Sequence, residues 1–289
     1  MKLPRSSFQY QPKMKDDSAV EDALNTLILK HPVIGFWQSF HRLRIRGYYW
    51  NHKKVRRVYR KMNLNIRRKA KKRLPERVKQ PLTYSTSPNQ MWSLDFMSDS
   101  LQDGRKVRLF NVLEDFNRES LAIEVDTSLP TLRVIRVLNR LVAVRGKPSN
   151  IRMDNGPEFI SHKLEEWCRK MQITLQFIQP GCPTQNAFIE RKNGSIRREL
   201  LNAYMFTSLA EVREYCEEWR MDYNNERPHK SLGYLPPVMF AEQWYKKSKY
   251  AQLIFPQMAT ENHLKIEGSH FVEKIEEMTN IEPKTLTSN

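Results

Sequence analysis

The sequence predicts a mixed α/β body, a sheet with helices on its faces, preceded by a small all-α head. Three observations carry that reading. The apolar spacing changes from a helical to a strand period near residue 89. Three strand-like runs then follow at close spacing, and beyond them strands alternate with helices. The charge divides at the same place. Of 49 Lys and Arg and 32 Asp and Glu, 22 basic and 5 acidic residues fall in residues 1–90, leaving 27 of each for the rest of the chain.

The head reads as three helices. Ser18 is expected to cap the first, with Glu21 at the capping-box position, and His31-Pro32 ends it. Residues 34–46 align Phe36, Phe40 and Leu43 on one stripe and stop at Gly47. Asn51 can cap a third helix, 52–62, that turns Val55, Val58, Tyr59 and Met62 inward and Lys53, Lys54, Arg56, Arg57, Arg60 and Lys61 outward. Two short helices, a turn with glycine and a helix with a basic face form a helix-turn-helix pattern for DNA, with Lys53, Arg56, Arg57 and Arg60 as candidate contacts. Residues 1–66 form this domain, and 67–88 a cationic linker.

Residues 91–97, 107–113 and 120–126 are predicted strands of a meander. A helix over 131–145 places Leu132, Ile135, Leu138 and Val142 in the core. A strand at 150–154, a helix at 160–171 and a strand at 173–178 follow, then the loop at Pro180-Gly181-Cys182-Pro183. Helices are expected at 186–204, burying Ile189, Ile196, Leu200 and Ala203, and at 208–224, burying Leu209, Val212, Cys216, Trp219 and Tyr223. Residues 89–244 make the body. In the remainder, 245–289, only a weak helix at 272–278 is visible, and the segment is expected to be mobile.

At about 150 residues per domain, 289 residues accommodate two cored domains. Three scattered cysteines make neither a disulfide framework nor a zinc site, which suits a reducing cytoplasm. No apolar run approaches the ~18 residues of a membrane span, and the start lacks a signal-peptide core. A cationic head on a neutral body indicates contact with nucleic acid or an anionic membrane, and the missing broad apolar face favours nucleic acid.

Three carboxylates stand where packing gives no reason for them. Asp95 is flanked by Leu94 and Phe96 in a strand, where Asp is depleted. Asp154 ends a strand before Asn155-Gly156-Pro157, although a turn residue would look the same. Glu190 opens a helix with Asn186, Asn193 and Arg197 on its face, and alone would pass for a solvated acid. Clustered carboxylates raise one another's pKa unless a cation intervenes, and hard divalent ions with oxygen ligands meet that need. Two such ions suit phosphodiester displacement. Arg191, Lys192 and Arg198 flank Glu190 and could hold phosphate, or simply face solvent. Glu114 and Asp115 are expected to be solvated or structural.

Asp154 and Glu190 are separated by 35 residues. With that spacing, and with the stretches NQMWSLDFMSDSLQDGRKVRLFNVLEDFNRESLAIEVDTSL, GKPSNIRMDNGPEFIS, FIQPGCPTQNAFIERKNGSIRRELLNAYMF and YNNERPHKSLGYLPP, residues 20–240 resemble the second-frame transposases of bacterial insertion sequences. These belong with retroviral integrases to the group that carries an Asp, Asp, Glu triad. The resemblance implies an RNase H-like five-stranded mixed sheet, catalytic and metal-binding roles for Asp95, Asp154 and Glu190, and a DNA-contacting role for Arg197. It implies two Mg²⁺ or Mn²⁺ ions, 3′-end cleavage and strand transfer on double-stranded DNA (element ends and target), a homo-oligomer, the element's first-frame product as a partner, and a bacterial, nucleoid-associated setting. A DNA-binding modulator without catalysis and a nuclease without strand transfer are the competing expectations. Arg191-Lys192 is more basic than is usual in this family, and the zinc-binding module of retroviral integrases has no counterpart, since no Cys precedes Cys168.

Overall fold

The computed structural model describes residues 16–66, 85–154, 156, 161–178 and 183–254. The expected 67–88 linker lies outside these residues up to 84, as do most of the 180–183 loop and the helix at 272–278. The described head contains α1 (Ser18–Lys30), α2 (Phe36–Ile45) and α3 (His52–Lys61). The body runs β1 (Met91–Ser100), β2 (Lys106–Glu114), β3 (Ser120–Asp126), α4 (Thr131–Arg145), β4 (Asn150–Met153), α5 (His162–Met171), β5 (Thr174–Phe177), α6 (Ala187–Ile196), α7 (Leu209–Asn225) and α8 (Pro237–Ile254). No described helix is long and apolar enough to cross a membrane.

The five strands form one mixed sheet in the order β3-β2-β1-β4-β5. β1, β2 and β3 pair antiparallel as a meander, while β1, β4 and β5 run parallel. Strand alternation sends successive side chains to opposite faces, and each face has its own core. Leu94, Phe110 and Val112 meet Val134, Leu138, Leu164 and Cys168 from α4 and α5. Met97, Val107, Leu109 and Val125 meet Ile196, Leu200, Val212 and Cys216 from the α6–α7 side. Asp95 shares the parity of Met97 and therefore points toward α6.

Several local expectations are corrected. Asp17, not Ser18, is the residue before α1, and the Ser18 N–H and hydroxyl both donate to Asp16 Oδ1. Of the expected α4 stripe, Leu138 is buried and Ile135 and Val142 pack against the core, but Leu132 is exposed and the most buried positions are Val134 and Val137. Val134, Val137, Leu138 and Leu141 hold the i, i+3, i+4, i+7 spacing, so the buried face is rotated from the expected one and not replaced. The single helix expected over 186–204 stops at Ile196 and gives way to a π-helical turn, Arg197–Leu201. That wider turn buries the neighbours Leu200 and Leu201 together and leaves Ala203 outside. Residue 244 is not an element boundary: α8 continues to Ile254, and Trp244 packs edge-on to Phe116 at 5.4 Å.

The head has a hydrophobic core of its own, with Val20, Leu24, Leu27, Leu43, Val55, Val58 and Tyr59 at its centre. Asn51 caps α3 as expected, accepting from the Lys53 N–H. The head is nevertheless seated on the body through charge. Arg42, 2% exposed, is bidentate to Asp222 of α7 at 2.9 and 2.5 Å. Arg46 donates to Glu226 at 2.9 Å, and the His41 ring stacks on Tyr234 at 3.6 Å. Burial pushes the Asp222 carboxyl up, but the Arg42 hydrogen bonds and charge outweigh it and hold the pKa below the usual carboxylate range. Burial and Arg42 push His31, 3.3 Å from Asp222, down to about 4, so it is neutral at physiological pH.

Candidate active site

The parallel register places two of the three carboxylates side by side. Met91, Trp92 and Ser93 pair with Asn150, Ile151 and Arg152. Continuing the same step aligns Leu94 with Met153 and Asp95 with Asp154. Adjacent strands lie ~4.8 Å apart and aligned residues share a face, so both acids stand together where β4 ends. Asp154 Oδ1 accepts from the Gly156 N–H at 3.0 Å, which turns the chain away from the sheet.

Glu190 arrives from the first turn of α6 and is exposed. The same helix fixes Asp95: Asn193, one turn further on, donates its amide to Asp95 Oδ2 at 2.7 Å. Asp95 Oδ1 accepts from the Phe96 N–H at 2.8 Å. Asn186, before α6, donates to the Leu94 carbonyl at 3.4 Å. Burial, with the charges of Asp154 and Glu190, raises the Asp95 pKa to about 6. Partial burial also raises that of Glu190. Asp154 and Glu190 both act on the Asp95 carboxyl, so their charges lie within electrostatic reach of it. Their ligand atoms do not draw within 4.8 Å of one another. Among the described residues only His31, Asp222 and Glu226 do so, and the guanidiniums of Arg42 and Arg46 already neutralise that group.

Asn193 as the anchor of Asp95 was not anticipated, although its place three residues after Glu190 put it on the same helix face. Two buried amide oxygens here, Asn186 Oδ1 and Asn193 Oδ1, have no partner.

The basic candidates divide. Arg191, next to Glu190 in α6, is exposed, and so is Arg198 in the π-helical turn, where it donates to Ser195 Oγ at 3.3 Å. Arg197 does not stand free: it donates to Asp99 Oδ2 at 3.0 Å and to the Ser98 carbonyl at 2.6 Å, which ties the end of α6 to β1. Lys192 is corrected outright. It is 1% exposed, its Nζ donates to Asn111 Oδ1 at 3.2 Å across from Asp95, and burial drives its pKa down to about 7. Neither a phosphate contact nor a solvated face fits a buried amine: i+2 from Glu190 lies on the opposite side of the helix, toward the sheet. Lys192→Met is accordingly expected to leave the salt dependence of DNA binding unchanged, as measured by fluorescence anisotropy across a salt series. A shallower slope would place the amine on a phosphate.

On the head, Lys53, Arg56 and Arg60 are exposed along α3. Arg57 is exposed as well but is paired, bidentate to Asp17 at 2.6 and 2.7 Å. Glu114 and Asp115 are buried structural acids. Glu114 accepts from the Asn89 N–H and Trp92 Nε1, and Asp115 from Ser93 Oγ and Arg152.

Two family models, both described as an integrase core domain, match residues 85–183 and 171–237. The chain is thus an integrase-core protein, and the five-stranded mixed sheet is the expected RNase H-like one. A chain in the structure of the simian T-cell lymphotropic virus intasome with the PP2A regulatory subunit B56 gamma shares the fold, with a TM-score of 0.50 and 15% identity over 76% of this chain and 74% of that one. Two relatives that share most of the chain are insertion-element proteins. A 31.7 kDa protein of element IS407 from Burkholderia multivorans is 40% identical over 83% of this chain and 87% of its own. A 39.2 kDa protein of IS476 from Xanthomonas euvesicatoria is 38% identical over 84% and 70%. The chain belongs to the insertion-sequence transposases of the integrase superfamily.

Proposed function

We propose that this transposase cleaves the 3′ ends of its element's DNA and transfers them to a target, with Asp95, Asp154 and Glu190 as the catalytic carboxylates. The observation that carries the reading is the parallel register of β1 and β4, whose continuation brings Asp95, midway along β1, abreast of Asp154, just past the end of β4, with Asp95 hydrogen-bonded to the helix that supplies Glu190. The donor set fits a hard divalent cation. It is all carboxylate oxygen, burial and the neighbouring carboxylates hold Asp95 near a pKa of 6, and Asn193 fixes one Asp95 oxygen. Asp95, Asp154 and Glu190 would hold Mg²⁺ or Mn²⁺, two ions by family likeness. When bound, these ions activate the attacking oxygen and stabilise the leaving one.

The protein's own residues do the rest. Asn193 and the Arg197–Asp99 tie fix α6 against β1, so that Glu190 keeps its place relative to Asp95. Arg191 and Arg198 offer guanidiniums to phosphates next to the carboxylates. The exposed face of α3 grips the duplex elsewhere, and a homo-oligomer would bring two element ends together. The test is a labelled duplex carrying the element's terminal sequence, incubated with the protein and Mg²⁺ or Mn²⁺. Nicked 3′ ends followed by joined products support the proposal, and intact DNA under both ions overturns it.

A separate measurement addresses the head. Lys53→Gln, Arg56→Gln and Arg60→Gln combined are expected to flatten the dependence of log affinity on log salt by up to about 3, because each duplex phosphate neutralised contributes ~0.9. An unchanged slope would move the phosphate contacts to the body.

A further inference from the structure

We propose that the turn between α2 and α3 is a binding site for unpaired nucleotides of a DNA strand. Gly47 leaves α2 with φ of +88°, a conformation that favours glycine, and three aromatic residues follow it directly. The rings of Tyr48 and Trp50 stack on each other, 4.6 Å apart and 19° from parallel. Tyr49 between them is 80% exposed. The Arg44 guanidinium lies 5.6 Å from the Tyr49 ring centre and is held there by donating to the Trp50 carbonyl at 3.1 Å. Beside the turn, Trp37 is half exposed, with the rings of His41 and His52 near-parallel to it at 6.0 and 6.2 Å.

These rings sit at the N-terminal end of the helix that presents Lys53, Arg56 and Arg60, and residues 44–56 include no acid. A paired duplex hides the faces of its bases, so basic side chains alone suffice to grip it. A flat exposed ring backed by a guanidinium gains from a base whose face is open: stacking adds affinity without sequence preference, while the cations hold the backbone. An apolar protein partner would not need this density of positive charge. The proposed function provides the ligand, because strand cleavage at an element end frees nucleotides from their partners. The site rests on that reading for the source of the strand but not for its chemistry.

The test uses the full chain and a labelled single-stranded oligodeoxynucleotide of about ten nucleotides, compared with its duplex, by anisotropy at low and high salt. Tyr49→Ala is expected to weaken single-strand binding about five- to hundred-fold and duplex binding less than about two-fold, while Tyr49→Phe keeps both. The single-strand deficit should persist at high salt, where phosphate contacts fade, and the bound strand should quench tryptophan fluorescence in the wild-type chain. Equal losses on both DNA forms, or unchanged binding in Tyr49→Ala and in Trp37→Ala, would overturn the site and leave the rings to a protein partner. Single-strand binding with this Tyr49 dependence in a chain that never cuts DNA would support the site and overturn only the proposed chemistry. Cutting without single-strand binding would do the reverse.

Discussion

Asp95→Asn is expected to abolish DNA cleavage while making the metal-free protein more stable. The first effect follows from charge. The amide keeps the shape but removes an anionic ligand from a site whose proposed role depends on held cations, and losing several kcal/mol of transition-state stabilisation costs about three orders of magnitude or more in rate. The second follows from the raised pKa. Below the unfolded-state value of 3.8 Asp95 is protonated in both states and costs nothing. As pH rises to about 6, the unfolded chain ionises first, so the folded state loses on the order of 2–3 kcal/mol, a cost that persists at neutral pH. Asparagine carries no such charge. Asn193 can also accommodate it, because a flip of its amide presents the unpartnered Oδ1 to the new NH₂. Melting temperature against pH should therefore show the variant above wild type at pH 7 and level with it near pH 3.5. Cleavage close to the wild-type rate would remove Asp95 from the site, and a lower melting temperature at pH 7 would mean that its charge is not under strain. Asp154→Asn and Glu190→Gln should share the catalytic loss.

Arg42→Met is expected to be the most destabilising change outside the hydrophobic cores, at about 3–5 kcal/mol, because it leaves Asp222 in a partly enclosed site without its bidentate partner. Lys30 and Arg46 cannot replace it, since both are placed on Glu226. Asp222→Leu alone should cost a similar amount by orphaning the more deeply buried guanidinium. The double variant Arg42→Met/Asp222→Leu should recover much of the loss, because an apolar pair can occupy the space of a buried ion pair. Denaturant midpoints for the four proteins give the coupling energy directly. Additive losses would show that the two side chains do not depend on each other.

Much of the fold was legible because it rests on local patterns. The 120–126 strand and the 131–145 helix have the predicted ends, bounded by turn residues and by Gly146 with φ of +82°. What failed is what a one-dimensional period cannot hold. It could not say how far round α4 the buried face runs, which takes in Val134 and Val137 and leaves Leu132 out. It took Lys192 for a surface cation because charge was equated with exposure, whereas the helix turns that side chain beneath the carboxylates. The three acids were recognisable by being out of place, but the Asn193 anchor became visible only when β1 and α6 met. The seat of the head was unreadable: Arg42 and Asp222 lie 180 residues apart, and nothing local distinguishes either from its charged neighbours.

Under the proposed DNA contacts and chemistry, that seat would give the molecule a measuring function. With Arg42 locked against α7, α3 and the carboxylates ride on one frame, so under the proposed chemistry the interval between the base pairs gripped and the bond cut becomes a length built into the protein, a ruler. On B-form DNA each inserted base pair moves the cut point ~3.4 Å along the axis and about a tenth of a turn around it. An insertion of about five pairs, half a turn, would present the opposite side of the duplex to Asp95. An insertion of about ten would restore the angle but overrun the reach. A transposase so built tolerates changes of sequence between its two contacts more readily than changes of spacing.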